Sequence, residues 1–161
     1  MNNTAQSGGI AINPKIWRYI FDAIDDPMFL HDTQFRVLLA NHAYCREADV
    51  TEAEAVGKLY WEVFPLGTGP LPGCRNAANK IGHDGSQEEV SVGTKLFISK
   101  GYNVRGEQGE FLYALHIFSD ITAQRQVETA EENVRRATET ARLCAKATRL
   151  PVSVAMNSSP Y

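Results

Sequence analysis

Residues 111–119, Phe-Leu-Tyr-Ala-Leu-His-Ile-Phe-Ser, make an almost unbroken apolar run that leads through Asp120-Ile121-Thr122 into a polar, helix-forming stretch. A run this rich in aromatic and branched side chains reads as a central, buried strand, since both of its faces need apolar partners. Asp120 and Thr122 each offer a side-chain oxygen to the amides that open the next helix. A sheet strand therefore feeds a long helix without a flexible linker, and strain in the sheet has a path out of it.

The remainder of the 161 residues has to supply that sheet and its cover. With 43% of residues hydrophobic there is material for one core, so the chain reads as one domain with a helical extension. A net charge of −3 argues against a nucleic-acid partner, because phosphate binding needs a basic face. No apolar run reaches the ~18 residues of a membrane span, and residues 1–11 lack the basic start and apolar middle of a signal peptide. The three cysteines, Cys45, Cys74 and Cys144, are odd in number and widely spaced, which fits neither a disulfide framework nor a zinc pattern. The expectation is a cytoplasmic protein with no nucleic-acid and no membrane partner.

Along the chain, residues 1–13 read as a loose polar arm, ending at Asn13-Pro14 as a helix start. The first helix is expected from Pro14 to about Asp25, with Trp17, Ile20, Phe21 and Ile24 on one face, and Asp26-Pro27 closes it. Two short strands, 28–31 and 36–40, flank the turn Asp32-Thr33-Gln34. Asn41 caps a helix to about Ala48, Thr51-Glu52-Ala53-Glu54 is a capping box, and Gly57 ends that turn. A further helix is expected over Cys74–Gly82, after a loop rich in glycine and proline. Three strands follow, over 88–93, 95–104 and 110–119, separated by the turns Gly93-Thr94 and 106–109. The tight turns make these three an antiparallel meander, and the helices between the strand groups make the fold class α+β.

Five segments carry a family resemblance: Phe29-Leu30-His31-Asp32, Leu39-Ala40-Asn41-His42-Ala43-Tyr44, Glu52-Ala53-Glu54-Ala55-Val56-Gly57-Lys58, Gly106-Glu107-Gln108-Gly109-Glu110 and Asp120-Ile121-Thr122. In this order and at this spacing the chain resembles the PAS sensory family over residues 14–122. The resemblance implies a five-stranded antiparallel sheet with short helices on one face, flanked by N- and C-terminal helices. It implies a sensory, signal-transducing and non-enzymatic role. Members bind haem, flavin, small metabolites or nothing identifiable, so the cofactor is left open. The segment from Trp61-Glu62-Val63-Phe64 to Pro72-Gly73-Cys74 is similar to a subgroup with further cysteines or a histidine in this loop; here only Cys74 stands there.

No Ser/His/Asp order, recognisable carboxylate pair or phosphate loop appears, and no catalytic residue is expected. In light-sensing relatives a flavin-attacking cysteine follows the glycine that here is Gly57, but Lys58-Leu59-Tyr60 stand in its place, so Cys74 reads as an inert, half-buried side chain. His31, His42, His83 and His116 are not paired at helical spacing with a second ligand, and no metal site is expected. His83, the position closest to a haem ligand of relatives, reads as a surface histidine at a helix end. The expected ligand-binding residues are Trp61, Phe97, and Tyr113 or His116, which lie on opposite faces of the last strand.

Beyond Ala123 a helix is expected to about Leu150, stopped by Pro151, with residues 151–161 as a tail and no output unit read after it. Ala123, Val127, Ala130, Val134, Ala137, Ala141, Cys144 and Thr148 alternate four and three apart, a coiled-coil seam of small residues. Glu131/Arg135 and Glu132/Arg136 are i,i+4 pairs expected to add about 0.3 kcal/mol each. The expected assembly is a homodimer held mainly by the first helix, which leaves room for a small-molecule ligand and a separate signalling effector. The alternatives are a ligand-free domain docking a separate kinase or cyclase, and a haem or flavin redox or light sensor.

Overall fold

A computed structural model describes residues 15–77 and 85–147. The expected arm 1–13, the Asn13-Pro14 helix start, His83, the far end of the Cys74–Gly82 helix, and everything from Thr148 through the tail lie outside the described residues. The chain divides into two units, one ending at Ile121 and one beginning at Thr122.

The first unit opens with helix α1 (Lys15–Ala23), followed by strands β1 (Met28–His31) and β2 (Val37–Ala40). Helices α2 (His42–Ala48) and α3 (Glu52–Ala55), a 3-10 turn at Tyr60–Glu62 and helix α4 (Pro72–Ala77) come next. Strands β3 (Gly85–Val92), β4 (Lys95–Arg105) and β5 (Phe111–Asp120) complete a five-stranded antiparallel sheet in the order β2-β1-β5-β4-β3. The expected last strand is the central one. Alternation along β5 turns Ala114, His116 and Phe118 inward. Its partners on that face are Phe29 and His31 of β1, and Phe97, Ser99 and Gly101 of β4.

One side chain organises the start of the domain. Asn41 is fully buried and caps α2, its Oδ1 accepting from Tyr44 N at 2.8 Å. The same oxygen accepts from Met28 N at 2.9 Å, at the first residue of β1. Its Nδ2 donates to the carbonyls of Phe21, Ile24 and Asp26 at 3.3, 3.0 and 2.9 Å. Those carbonyls would otherwise be orphaned where α1 stops. The helix thus ends at Ala23 rather than Asp25, because Asn41 takes up the carbonyls beyond it. Arg18 holds α1 from the other side, bonded at 2.6 Å to both Asp22 and Glu52.

Other boundaries follow local chemistry. The Thr51–Glu54 capping box forms as expected, and Gly57 closes the turn at φ +84°, where a side chain would be strained. Helix α4 begins at Pro72, two residues ahead of expectation, since proline suits the first helical turn. Strand β3 begins at Gly85 rather than Glu88, because β4 is long enough to pair it as far as Tyr102. Asp120 ends β5 opposite Phe97, so only Ile121 stands between that strand and the next helix.

The second unit is helix α5 (Thr122–Ala147), exposed along most of its length. Its seam residues Val127 and Val134 are 58% and 67% exposed. Glu132 bonds to both Arg135 and Arg136, so Arg135 pairs one position closer than the expected Glu131. No helix among the described residues is long and apolar enough to cross a membrane.

Asn41→Ala strips the α2 cap and leaves two buried amides and three carbonyls short of partners, which should lower unfolding free energy by about 2–4 kcal/mol. Asn41→Asp keeps the acceptor oxygen but turns a second, charged oxygen on three carbonyls. It should therefore fail to rescue. Urea denaturation checks both, as lower midpoints at unchanged slope.

Candidate functional site

Antiparallel pairing sets Phe29 opposite His116 and His31 opposite Ala114, so the two histidines sit diagonally on the inward face of adjacent strands. Their rings stack at 5.3 Å, and Phe29 stacks on His116 at 5.0 Å with planes 14° apart. Tyr60 from the 3-10 turn stacks on His31 at 5.5 Å. Cys74, on α4, enters the same space with its sulfur 3.1 Å from His116 Nε2. His31, His116 and Tyr60 are at most 1% exposed, and Cys74 is 5% exposed. A β-carbon on Gly101, which pairs with His116, would lie 3.0 Å from that imidazole and 2.7 Å from Ser86 Oγ. Glycine is what lets the ring lie there.

Two hydrogen bonds lead in sequence to the thiol. Leu71 N donates to the Tyr60 hydroxyl at 2.6 Å, and that hydroxyl donates to Cys74 Sγ at 3.3 Å. The thiol faces His116 Nε2, whose ring partner Nδ1 lies 3.4 Å from Ser99 Oγ. His31 Nδ1 is 2.6 Å from the Asp32 carbonyl, which only accepts, so Nδ1 carries the proton. That leaves His31 Nε2 as a buried lone pair, with no partner among the described residues.

Electrostatics keeps the cluster neutral. Burial, with the neighbouring His31, lowers His116 to about 3. Burial also lowers His31, against the pull of the Asp32 carbonyl. Burial pushes the Cys74 thiol up to about 11, although the Tyr60 hydroxyl favours the thiolate. Tyr60 is raised as well, chiefly by burial. A protonated thiol is a poor nucleophile, and the nearby Glu88, bonded to Gly73 N, pushes the thiol and the Tyr60 hydroxyl further up.

Of the four expected ligand-binding residues, only His116 belongs to the cluster. Trp61 is half-buried at its edge, packed edge-on to Tyr60 at 5.2 Å. Phe97 lies in the next layer, against Phe64 and Phe118. Tyr113 points to the opposite face and is 39% exposed. The inward face of β5 is therefore that of His116. Helical spacing pairs none of His31, Tyr60, Cys74 and Ser99, so the sequence pattern does not join them to His116. Two histidines on strands that pair antiparallel was the signal available. His42 is exposed on α2, 3.8 Å from Asp22. Cys74 is buried rather than half-buried, and Phe29, Tyr44, Tyr60, Phe97 and Phe118 fill the space between sheet and helices at 1% exposure or less. A haem or flavin there would have to displace these rings.

The sequence profile of the PAS fold family matches residues 21–126. Solved structures with a similar fold include the PAS domain of Bordetella pertussis BvgS, at 20% identity and a TM-score of 0.52 over 74% of this chain and 92% of that one. A PAS domain from Colwellia psychrerythraea matches at 17% identity and a TM-score of 0.53, over 68% and 97% of the two chains. An RNA-binding Light-Oxygen-Voltage receptor matches at 13% identity and a TM-score of 0.62; 88% of this chain is covered but only 42% of the receptor. No curated protein sequence matches the chain.

The neutral histidines make stability depend on pH. Between the ordinary 6.5 and the folded value near 3, the unfolded chain binds a proton at His116 that the folded chain refuses. Stability present above about pH 6.5 is therefore lost as pH falls towards 3, by up to about 1.4 kcal/mol per pH unit. His31, also lowered, acts with the same sign. Unfolding free energy measured in urea should fall from pH 7 to pH 5, and His116→Phe, which suits the ring stack, should flatten that slope.

Proposed function

Since the chain belongs to the PAS fold family, we propose that it is a non-catalytic sensory and signal-transducing module that works as a homodimer. Residues 14–122 form the sensory unit in this reading, and 123–150 form a signalling helix. The input is a ligand small enough to sit among the donor atoms of the buried cluster around His116, since aromatic rings fill the space beside it, and a separate effector receives the output.

One observation carries the dimer. Helix α1 turns apolar side chains outward, with Trp17 67% and Ile20 49% exposed. Together with Phe21, Ile24, Leu39 and Leu115 these residues line an apolar groove of about 520 Å³ on the outer side of the sheet. Contiguous apolar surface of this kind marks an interaction site. A second copy of the chain supplies a matching stripe, as a two-fold interface requires. The alanine-rich seam of α5 buries less area per layer and adds less to the association.

Trp17→Glu with Ile20→Glu should weaken the dimer by about 2 kcal/mol or more, roughly thirtyfold in dissociation constant. Both residues are largely exposed, so the domain should stay folded. Truncation after Gln126 should leave a dimer. Sedimentation checks both: a truncated form that runs as a monomer would move the interface to α5, and a wild type that is monomeric at all concentrations would favour docking of a separate kinase or cyclase.

A further inference from the structure

Donor atoms of His31, Cys74 and His116 converge inside the core, all within 4.8 Å of one another, with His116 Nε2 3.1 Å from Cys74 Sγ. The outer side of each imidazole is already engaged, His31 Nδ1 by the Asp32 carbonyl and His116 Nδ1 by Ser99 Oγ. This is how metal-ligating histidines are held, with one nitrogen fixed by an outer partner and the other left to the ion. The inner nitrogen of His31 is 1% exposed as part of its residue and has no donor among the described residues. A buried acceptor without a donor calls for explanation, and a cation at the convergence point supplies one.

We propose that these three side chains bind a single copper(I) ion. The inference deepens the sensory reading, on whose input site it rests, by naming what the cluster takes up. Two imidazoles and a thiolate are a copper donor set. Bonds of about 2.0 Å to nitrogen and 2.3 Å to sulfur place donors roughly 3.5 Å apart around an ion. The cluster reaches that by closing about an ångström at its widest. Charge selects the ion. Cys74 gives up its thiol proton to solvent as the sulfur–copper bond forms, so a monovalent cation replaces a proton and the core stays neutral. Zinc(II) would leave a net positive charge among Phe29, Tyr60 and Phe118, and it favours a fourth ligand.

The test uses the full chain with Cys45→Ser and Cys144→Ser, which removes the two thiols outside the cluster. Copper(I) is titrated without oxygen against bathocuproine disulfonate. One equivalent should be withdrawn from the chelator, with a raised thermal midpoint and an absorption edge of a three-coordinate nitrogen–sulfur site. Losing an outer partner alone costs a metal site about 10–100-fold in affinity. Adding Cys74→Ser, a loss of a ligand itself, should weaken binding by about 100-fold or more. His31→Phe preserves the ring stack and should do the same, so the result does not hang on one variant folding; circular dichroism verifies each. Less than half an equivalent bound by the parent, or an affinity in both variants unchanged from the parent, overturns the site. Zinc(II) displacing copper(I) at equal concentration overturns the choice of ion. Copper binding by a chain that sediments as a monomer would leave this site standing and reject the dimer; a dimer that binds no copper would do the reverse.

Discussion

The buried amide of Asn41 decides the parity of β1, and through it which side chains make the core. By accepting from Met28 N while capping α2 at Tyr44, it fixes where the strand starts relative to the helix that follows. A shift by one residue would turn Phe29 and His31 out and Met28 and Leu30 in. Its amino group at the same time closes α1, so three elements meet at one side chain. Only asparagine or glutamine carries an acceptor and two donors on one planar group, and only asparagine also suits a helix N-cap.

That parity has a consequence in the middle of the sheet. It brings two histidines into a core otherwise made of Phe29, Tyr44, Phe97 and Phe118, where ionised imidazole would be strongly disfavoured. The core accommodates them as flat, neutral rings: stacked on Phe29 and Tyr60 and given space by Gly101, with the His31 tautomer fixed by the Asp32 carbonyl and His116 Nδ1 set against Ser99 Oγ. Polar groups in such a place raise specificity when every member is satisfied. Among the described residues one is not: the Nε2 of His31, on a side chain whose donor atom lies within 4.8 Å of those of Cys74 and His116.

Much of this was legible from the sequence. The central position of β5 followed from its unbroken apolar run. The capping of α2 and α3 followed from Asn41 and from Thr51 with Glu54, because these signals are local and carry their own geometry. The cluster was not legible in the same way. His31 and His116 are 85 positions apart and meet only through strand pairing, while Cys74 arrives from a helix that begins two residues before it, at Pro72. Helical spacing is the wrong period for these two histidines, since both lie on strands. Likewise Tyr113 and His116 are equivalent by composition, and only the register with β1 separates the inward from the outward face.

The origin of the three donors bears on how an occupied cluster would act on the fold. His31 belongs to β1, His116 to β5 and Cys74 to α4, so drawing them together pulls a helix toward two paired strands. The strands are held by their ladder and by Asn41, whereas the bonds of α4 include Gly73 N to Glu88 at 3.2 Å and those of the Cys74 thiol itself. The movement would therefore fall first on α4 and on the Tyr60 hydroxyl, which is bonded to both Cys74 and Leu71. Because a monovalent ion replaces a proton, no new buried charge opposes it, and the response would be one of packing. The stiff direction for that packing change is β5, which carries His116 and ends at Asp120, one residue before α5 begins.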